Sequence, residues 1–243
     1  MPLLSADEIV VRFGGVAALQ AASVAVDPGR VTGLIGPNGA GKTTLFNVVT
    51  GLQEPTSGRV VFDGVDITHR SPFRRARMGI ARTFQKLEAF SSLSARDNVL
   101  VAAEQRTAWD RSGFDTAAVV DELLERVGIA DVANFMVGTL PTGTARRVEL
   151  ARALATQPKV LLLDEPSSGL NEEETESMAA LLRDLVADGL AVLLVEHDMP
   201  FVMGTCEHIH VLDFGRVIAT GSPADIQGNA AVQAAYLGSA VRA

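Results

Sequence analysis

Short apolar runs separated by turn residues make up the first part of the chain. Valine-, isoleucine- and phenylalanine-rich runs of this length are typical of β-strands, and clusters of glycine, proline and asparagine are typical of the turns between them. The four predicted strands are Glu8–Phe13, Ser23–Val26, Arg30–Ile35 and Arg59–Phe62. This part of the chain is therefore expected to be rich in β-structure.

The middle of the chain changes to helix-forming residues. From about Leu93 to Gln157, alanine, leucine, glutamate and arginine dominate. Apolar residues recur there at helical spacing in two stretches, Ala117–Val127 and Ala145–Ala155. These patterns predict a mostly helical segment.

Continuous aliphatic runs return after this segment, at Val160–Leu163 and Ala191–Val195, with a helical pattern between them at Glu172–Val186. Runs of this kind suit parallel strands that are buried on both faces. The alternation of strand, helix and strand predicts an α/β domain, interrupted by the helical segment.

Composition narrows the class of protein. The 243 residues include 29 acidic and 21 basic side chains, a formal net charge of −8, which disfavours a general nucleic-acid binder. No apolar run reaches the roughly 18 residues of a transmembrane helix, and the acidic first residues differ from a signal peptide. The single cysteine, Cys206, excludes an internal disulfide. We therefore expect a cytoplasmic protein.

A glycine-rich segment after the third predicted strand indicates phosphate binding, because it fits the pattern G-x-x-x-x-G-K-[ST] in full. Its glycines let backbone N–H groups converge on phosphate oxygens, and the following helix adds its positive N-terminal end. Lys42 can reach the β- and γ-phosphates, and the Thr43 hydroxyl can bind magnesium. The predicted nucleoside-triphosphate site comprises Gly36, Pro37, Asn38, Gly39, Ala40, Gly41, Lys42, Thr43 and Thr44.

Two carboxylates, Asp164 and Glu165, follow the aliphatic run Val160–Leu163. At the end of a buried strand, Asp164 can hold magnesium, and Glu165 can polarise an attacking water molecule. The sequence contains neither the Asn-Lys-x-Asp motif of GTPases nor the His-Arg-Asp loop of protein kinases. The combination favours hydrolysis of ATP.

With these motifs in order, nearly the whole chain resembles an ABC-transporter ATPase. The segments that carry the resemblance are Gly36–Thr44, Ala81–Gln85, Leu140–Arg147, Asp164–Asn171 and Glu196–Asp198. Finer features resemble the ATP-binding subunits of high-affinity branched-chain amino-acid importers, and they are Arg12–Gly15, Gly79–Gln85, Ala151–Leu154, Glu196–Met199 and Ala235–Gly238. ATPases of lipopolysaccharide export and of urea-type importers look similar.

The resemblance implies a fold and a domain plan. The fold would be α/β, with a P-loop (RecA-like) core, an N-terminal antiparallel β-subdomain and an inserted helical subdomain. Residues 1–243 would form one ABC ATPase domain, with residues 1–85 and 158–243 in the nucleotide-binding lobe and residues 86–157, approximately, in the helical subdomain.

The resemblance also implies roles for single residues. Phe13 would stack on adenine, although a core aromatic at a strand end is the alternative interpretation. Gln85 would reach magnesium and the attacking water, and His197 would contact the γ-phosphate. The catalytic set would be Glu165, His197 and Lys42, and the magnesium set Thr43, Gln85 and Asp164.

The cofactors implied are ATP and Mg²⁺. The partners implied are a second ABC ATPase subunit, identical or not, membrane permease subunits and, indirectly, a solute-binding protein, but no nucleic acid. The chain would lie peripherally on the inner face of the cell membrane.

One motif departs from the family. The signature is commonly Leu-Ser-Gly-Gly-Gln, and it completes the nucleotide site of the opposite subunit. This chain has Leu140, Pro141, Thr142, Gly143 and Thr144 instead. Glycine is retained at position 143, but the hydroxyl expected at 141 and the amide expected at 144 are missing. Either Thr142 or Thr144 could substitute as a donor.

Several other features have structural interpretations. Histidines at 208 and 210 have no evident third metal ligand. Acidic residues 172–174 suit the first turn of a helix. Ser71-Pro72 predicts a helix start, and the arginines near it are interpreted as a solvated helical face. Those arginines are Arg70, Arg74, Arg75, Arg77 and Arg82.

The sequence thus predicts the ATPase subunit of an importer for branched-chain or related amino acids. Two alternatives stay open: an ATPase that drives export of a lipid or lipopolysaccharide, and a regulatory nucleotide-binding subunit with little turnover. The altered signature favours the second alternative, while intact Asp164, Glu165 and His197 oppose it.

Overall fold

The computed structural model describes residues 1–109 and 115–240, except the side chains of residues 237–240. The strands are β1 Leu4–Phe13, β2 Val16–Val26, β3 Val31–Ile35, β4 Ser57–Phe62, β5 Val65–Asp66, β6 Ile80–Arg82, β7 Val160–Asp164, β8 Ala191–Val195, β9 His208–Asp213 and β10 Arg216–Gly221. The α-helices are α1 Lys42–Thr50, α2 Pro72–Met78, α3 Ala95–Thr107, α4 Thr116–Arg126, α5 Thr142–Ala155, α6 Glu172–Ala187, α7 Met199–Thr205, α8 Pro223–Gln227 and α9 Ala230–Ala240.

The larger sheet has the strand order β10-β9-β3-β8-β7-β6. All neighbours pair in parallel except β10, which runs antiparallel to β9. Every residue of β3, β7 and β8 is buried, as the aliphatic runs predicted. Because β3 and β7 are parallel, the segments that follow them both lie at the carboxyl ends of the strands.

The smaller sheet is antiparallel, with the order β2-β1-β4-β5, and confirms the predicted N-terminal β-subdomain. Strand β2 begins at Val16, well before the predicted Ser23. Its first half is rich in alanine, which has low strand propensity, so pairing with β1 defines this part of the strand.

Helix α1 is enclosed by apolar residues from both sheets. Leu45, Phe46, Val48 and Val49 of α1 are fully buried in one cluster with residues of the larger and smaller sheets. Burial on this scale holds the helix that follows the glycine-rich segment in a fixed position.

The helical segment packs on the opposite face of the larger sheet. Val99 of α3, Leu124 of α4 and Val148 of α5 share one apolar cluster with Leu161 and Leu163 of β7. Helices α4 and α5 match the predicted stretches closely, and residues 110–114 of the predicted helical segment lie outside the described residues. The boundaries at residues 85 and 158 remain a prediction. No described helix is long and apolar enough to cross a membrane.

The interpretation of the arginines as one solvated face is wrong for Arg75 and Arg82. Arg75 is buried and donates hydrogen bonds to the carbonyls of Val48 and Val49 at 2.7 Å, near the end of α1. Burial lowers the pKa of Arg75 to about 10. Arg82 forms a buried ion pair with Asp164. Arg74, in contrast, is exposed.

Candidate functional site

Two glycines of the segment between β3 and α1 cannot be replaced without moving the backbone. A Cβ at Gly36 would overlap the carbonyl oxygen of Leu212, and one at Gly41 would lie 2.8 Å from the carbonyl oxygen of Ala18. Both glycines have positive φ angles, of 151° and 109°. The loop is therefore held between β2 and β9 in a conformation that only glycine adopts easily.

Lys42 begins α1 and is buried. Its ammonium group donates hydrogen bonds to the carbonyl oxygens of Gly36, at 2.6 Å, and Pro37, at 3.0 Å. Burial lowers the pKa of Lys42, while the charges of Glu165 and Asp164 act to raise it. Lysine and both carboxylates thus belong to one electrostatic cluster. Thr43 is exposed, and Thr44 is half-buried.

Glu165 lies between two of the predicted site residues. His197 Nε2 is 2.6 Å from Glu165 Oε1, and Gln85 Nε2 donates to Glu165 Oε2 at 3.0 Å. The backbone N–H of Glu165 donates to the carbonyl oxygen of Val195, and its φ is +53°. A non-glycine residue with positive φ is uncommon and often marks a functional site. The structure therefore brings Gln85, Glu165 and His197 together.

Asp164 ends β7 beside this group and is buried. Its Oδ2 accepts a hydrogen bond from Arg82 at 2.8 Å, whereas its Oδ1 accepts none from any described residue. The available carboxylate oxygen, the Thr43 hydroxyl and the Gln85 side-chain carbonyl are all hard oxygen ligands of the kind that magnesium prefers. The donor set fits this ion.

A buried carboxylate, that of Glu196, holds the backbone of His197. Glu196 accepts hydrogen bonds from the Ser167 N–H, at 2.7 Å, and from the Ser167 hydroxyl. Its other oxygen accepts from the His197 N–H at 2.9 Å. Glu196 thereby ties the turn after β7 to the segment after β8. In the sequence it was visible only as a neighbour of His197.

Charged residues of α5 bind the backbone of residues 84–88, the segment around Gln85. Arg146 donates to the carbonyl oxygens of Phe84 and Gln85, and Arg152 donates to that of Glu88. Glu149 accepts from the Glu88 N–H. Burial raises the pKa of Glu149, against the effects of the Glu88 N–H and Arg146. The helix that begins at the signature is thus linked directly to the Gln85 segment, which the sequence did not reveal.

The signature segment lies apart from the glycine-rich loop. Among the described residues, no hydrogen bond or ion pair joins Leu140–Thr144 to Gly36–Thr44. Pro141 is the N-cap of α5, with no side-chain cap, and Gly143 is buried where a Cβ would overlap Glu174 Oε1. Thr142 and Pro141 are exposed. The segment packs instead against the turn that leads into α6.

Two aromatic residues bear on the nucleotide site, one by prediction and one by its contact with the loop. Phe13, at the end of β1, is 53% exposed, so it is not a core aromatic; stacking on adenine stays a prediction. Tyr236 of α9 is partly buried. Burial raises the pKa of Tyr236 to about 12, although a hydrogen bond with the Gly36 backbone acts to lower it. The C-terminal helix therefore reaches the start of the glycine-rich loop.

The pair His208 and His210 has a structural role. His210 is buried, and Thr220 Oγ1 lies 2.8 Å from its Nδ1 and 3.1 Å from His208 Nε2. Burial lowers the pKa of His210 to about 4. In the part of the chain that the structure describes, no cluster of three or more potential ligands is arranged to hold a metal ion.

Two family models match this chain. A family model described as "ABC transporter" matches residues 19–168. A second model, described as "Branched-chain amino acid ATP-binding cassette transporter", matches residues 216–242.

Two curated relatives cover nearly the whole chain. The high-affinity branched-chain amino acid transport ATP-binding protein BraF of Pseudomonas aeruginosa is 39% identical over 252 aligned residues, which cover 98% of this chain and 99% of BraF. The lipopolysaccharide export system ATP-binding protein LptB of Haemophilus influenzae is 34% identical, with 98% of each chain covered.

Solved structures with the same fold include the ADP conformation of the ATP-binding cassette MJ1267, with a TM-score of 0.87, 30% identity and coverage of 98% of this chain and 99% of that one. The dimeric cassette MJ0796 bound to ADP and Pi has a TM-score of 0.79 and 25% identity, with 90% and 98% covered.

Proposed function

Because the chain belongs to the ABC transporter family, we propose that it hydrolyses ATP to drive an importer of branched-chain amino acids. The observation that carries this proposal is similarity along the whole chain, including residues 216–242, which match the branched-chain amino-acid model. The MJ0796 cassette is dimeric with ADP and Pi, which supports a dimer of ATPase subunits here.

The glycine-rich loop would bind the triphosphate. Its backbone N–H groups and the N-terminus of α1 favour anionic oxygens, and Lys42 would exchange its carbonyl partners, Gly36 and Pro37, for phosphate. Asp164, Thr43 and Gln85 would hold Mg²⁺. Bound there, the ion would neutralise phosphate charge.

Glu165 would take the proton from the attacking water. Its two oxygens are oriented by Gln85 and His197, so a water molecule that reaches either oxygen meets a fixed acceptor. His197 and Lys42 would stabilise charge that develops on the γ-phosphate. This mechanism needs no covalent intermediate.

Membrane subunits would dock beside the Gln85 segment. A cavity of about 330 Å³ between α2, β6, α3 and α5 is lined in part by Phe84, Glu88 and Arg152. Phe84, Leu87 and Phe90 are exposed, and the Arg152 guanidinium lies 4.7 Å from the centre of the Phe90 ring. Phe84 lines this cavity, whereas Leu87, Phe90 and Leu93 do not.

Uptake of labelled leucine tests the proposal. Cells that lack this chain should lose ATP-driven uptake, and the parent chain but not Glu165→Gln should restore it. Loss of surface lipopolysaccharide with normal leucine uptake would favour the export alternative, which the similarity to LptB supports. Uptake restored by Glu165→Gln would favour a regulatory subunit.

Two substitutions test the docking site. Phe90→Asp should abolish uptake and co-purification with membrane subunits, because a charge replaces an apolar contact beside Arg152. It should leave ATP binding by the isolated chain unchanged. Phe135→Asp, at a comparably exposed phenylalanine outside the segment that follows Gln85, is the control. If Phe90→Asp still co-purifies and transports, docking occurs elsewhere.

A further inference from the structure

A buried arginine holds the carboxylate that is proposed to bind magnesium. The Arg82 guanidinium donates from Nη2 to Asp164 Oδ2 at 2.8 Å and from Nη1 to Asn47 Oδ1 at 2.6 Å. The side chains of Arg82 and Asp164 are each 7% exposed. One planar group therefore connects the end of β7 to α1.

Two aromatic rings contact that guanidinium. Its central carbon lies 5.3 Å from the Phe46 ring centre and 4.9 Å from the Phe84 ring centre. Phe46 belongs to α1, and Phe84 precedes Gln85. The Arg82 guanidinium thus meets the phosphate-loop helix, the end of β7 and the Gln85 segment at once.

Stability alone does not account for this arrangement. Arg82 Nε is buried and has no hydrogen-bond partner among the described residues. A buried ion pair commonly stabilises a fold no better than well-packed apolar residues do, since both charges lose their hydration. A half-satisfied buried cation beside a functional carboxylate therefore suggests a role in the site.

We propose that Arg82 is a positioning residue that binds Asp164 Oδ2, so that a divalent cation can use only Oδ1 and must share the carboxylate charge with the guanidinium. This inference rests on the proposed role of Asp164 as a magnesium ligand. Arg82 keeps the carboxylate in one orientation, but its charge repels a second cation nearby. Arg82 therefore lowers the affinity of the site for magnesium but fixes the orientation of the Asp164 carboxylate.

Magnesium titrations separate two effects of Arg82: the repulsion of Mg²⁺ by its charge and the orientation of Asp164 by its hydrogen bond. The melting temperature of the chain with ATP is measured across Mg²⁺ concentrations, alongside kcat. Arg82→Gln should lower the half-saturating Mg²⁺ concentration by at least roughly threefold, because a repelling charge is removed, and should also lower kcat. Arg82→Lys keeps the charge, so its half-saturation should stay unchanged while kcat falls. Arg74→Gln, at an exposed arginine, should change neither quantity.

The inference and the proposed function can fail separately. If Asp164→Asn leaves the magnesium dependence unaltered, the assignment of Asp164 is wrong. If Asp164→Asn abolishes that dependence but Arg82→Gln raises or does not change the half-saturation, the role of Arg82 is wrong. Should Arg82→Gln not fold, Asn47→Ala provides the test: kcat should fall at constant half-saturation, and a change in both or in neither overturns the inference.

Discussion

The glycine-rich loop and the signature segment are both glycine-containing turns before a helix, but different contacts constrain them. At Gly36 and Gly41 the backbone of the same chain leaves no room for a side chain. In the signature only Gly143 is enclosed, while Pro141 and Thr142 are exposed. Packing within the chain thus constrains the backbone at two positions of the loop but at only one position of the signature. We expect the residue types at Pro141 and Thr142 to be set by contacts with a partner subunit.

The largest effect is expected from Glu165→Gln, which would remove the proposed proton acceptor. Turnover should fall by about 10²–10⁴, the usual loss for a general base. ATP binding should persist, so size-exclusion chromatography with ATP should show more dimer than for the parent. Glu173→Gln, an exposed substitution on α6, is the control. Full activity in Glu165→Gln would exclude Glu165 as the base.

Lys42→Ala tests the loop itself. Losing a charge-assisted contact of about 1.5–3 kcal/mol should weaken ATP binding by one to two decades. Calorimetric titration measures this change, with Lys86→Ala, at an exposed lysine, as the matched control. Unchanged affinity in folded Lys42→Ala protein would mean that the loop does not bind phosphate.

The sequence predicted features that depend on local backbone geometry, and it missed those that depend on contacts between distant parts of the chain. The loop and the pair Asp164–Glu165 were predictable because local backbone geometry and charge define them. Arg74 and Arg75 are neighbours in α2, yet Arg74 is exposed, whereas Arg75 donates hydrogen bonds to carbonyls of α1. Arg82 likewise depends on β7 and α1, which are distant in sequence. Such roles arise from tertiary contacts and have no local pattern.

Restoring the common signature should have a smaller, opposite effect. Pro141→Ser with Thr144→Gln can return hydrogen bonds to a charged oxygen in the opposite subunit's site, and turnover of a homodimer should rise at least about tenfold, equivalent to 1.4 kcal/mol. The Pro141→Ser change would also supply a hydroxyl cap to α5, which currently lacks a side-chain cap. Urea unfolding of the same variant separates the two effects. A parent chain that already turns over at about 1 s⁻¹ or faster, with no response to the substitutions, would show that Thr142 or Thr144 suffices.

Gly143→Ala should have the smallest effect, and it asks whether packing alone accounts for the retained glycine. The new Cβ would overlap Glu174 Oε1, and Glu174 is engaged in a reciprocal cap with Asn171, with both hydrogen bonds at 2.9 Å. Displacing it should cost about 1 kcal/mol of unfolding free energy, the typical value of a helix cap.

A double-mutant cycle with Glu174→Ala provides the control, since the cost of Gly143→Ala should largely disappear once the carboxylate is gone. If the cost is the same in both backgrounds, Glu174 does not constrain Gly143. If the alanine instead leaves stability intact but lowers dimer turnover, the glycine serves the opposite subunit, and the signature is more functional than its sequence indicates.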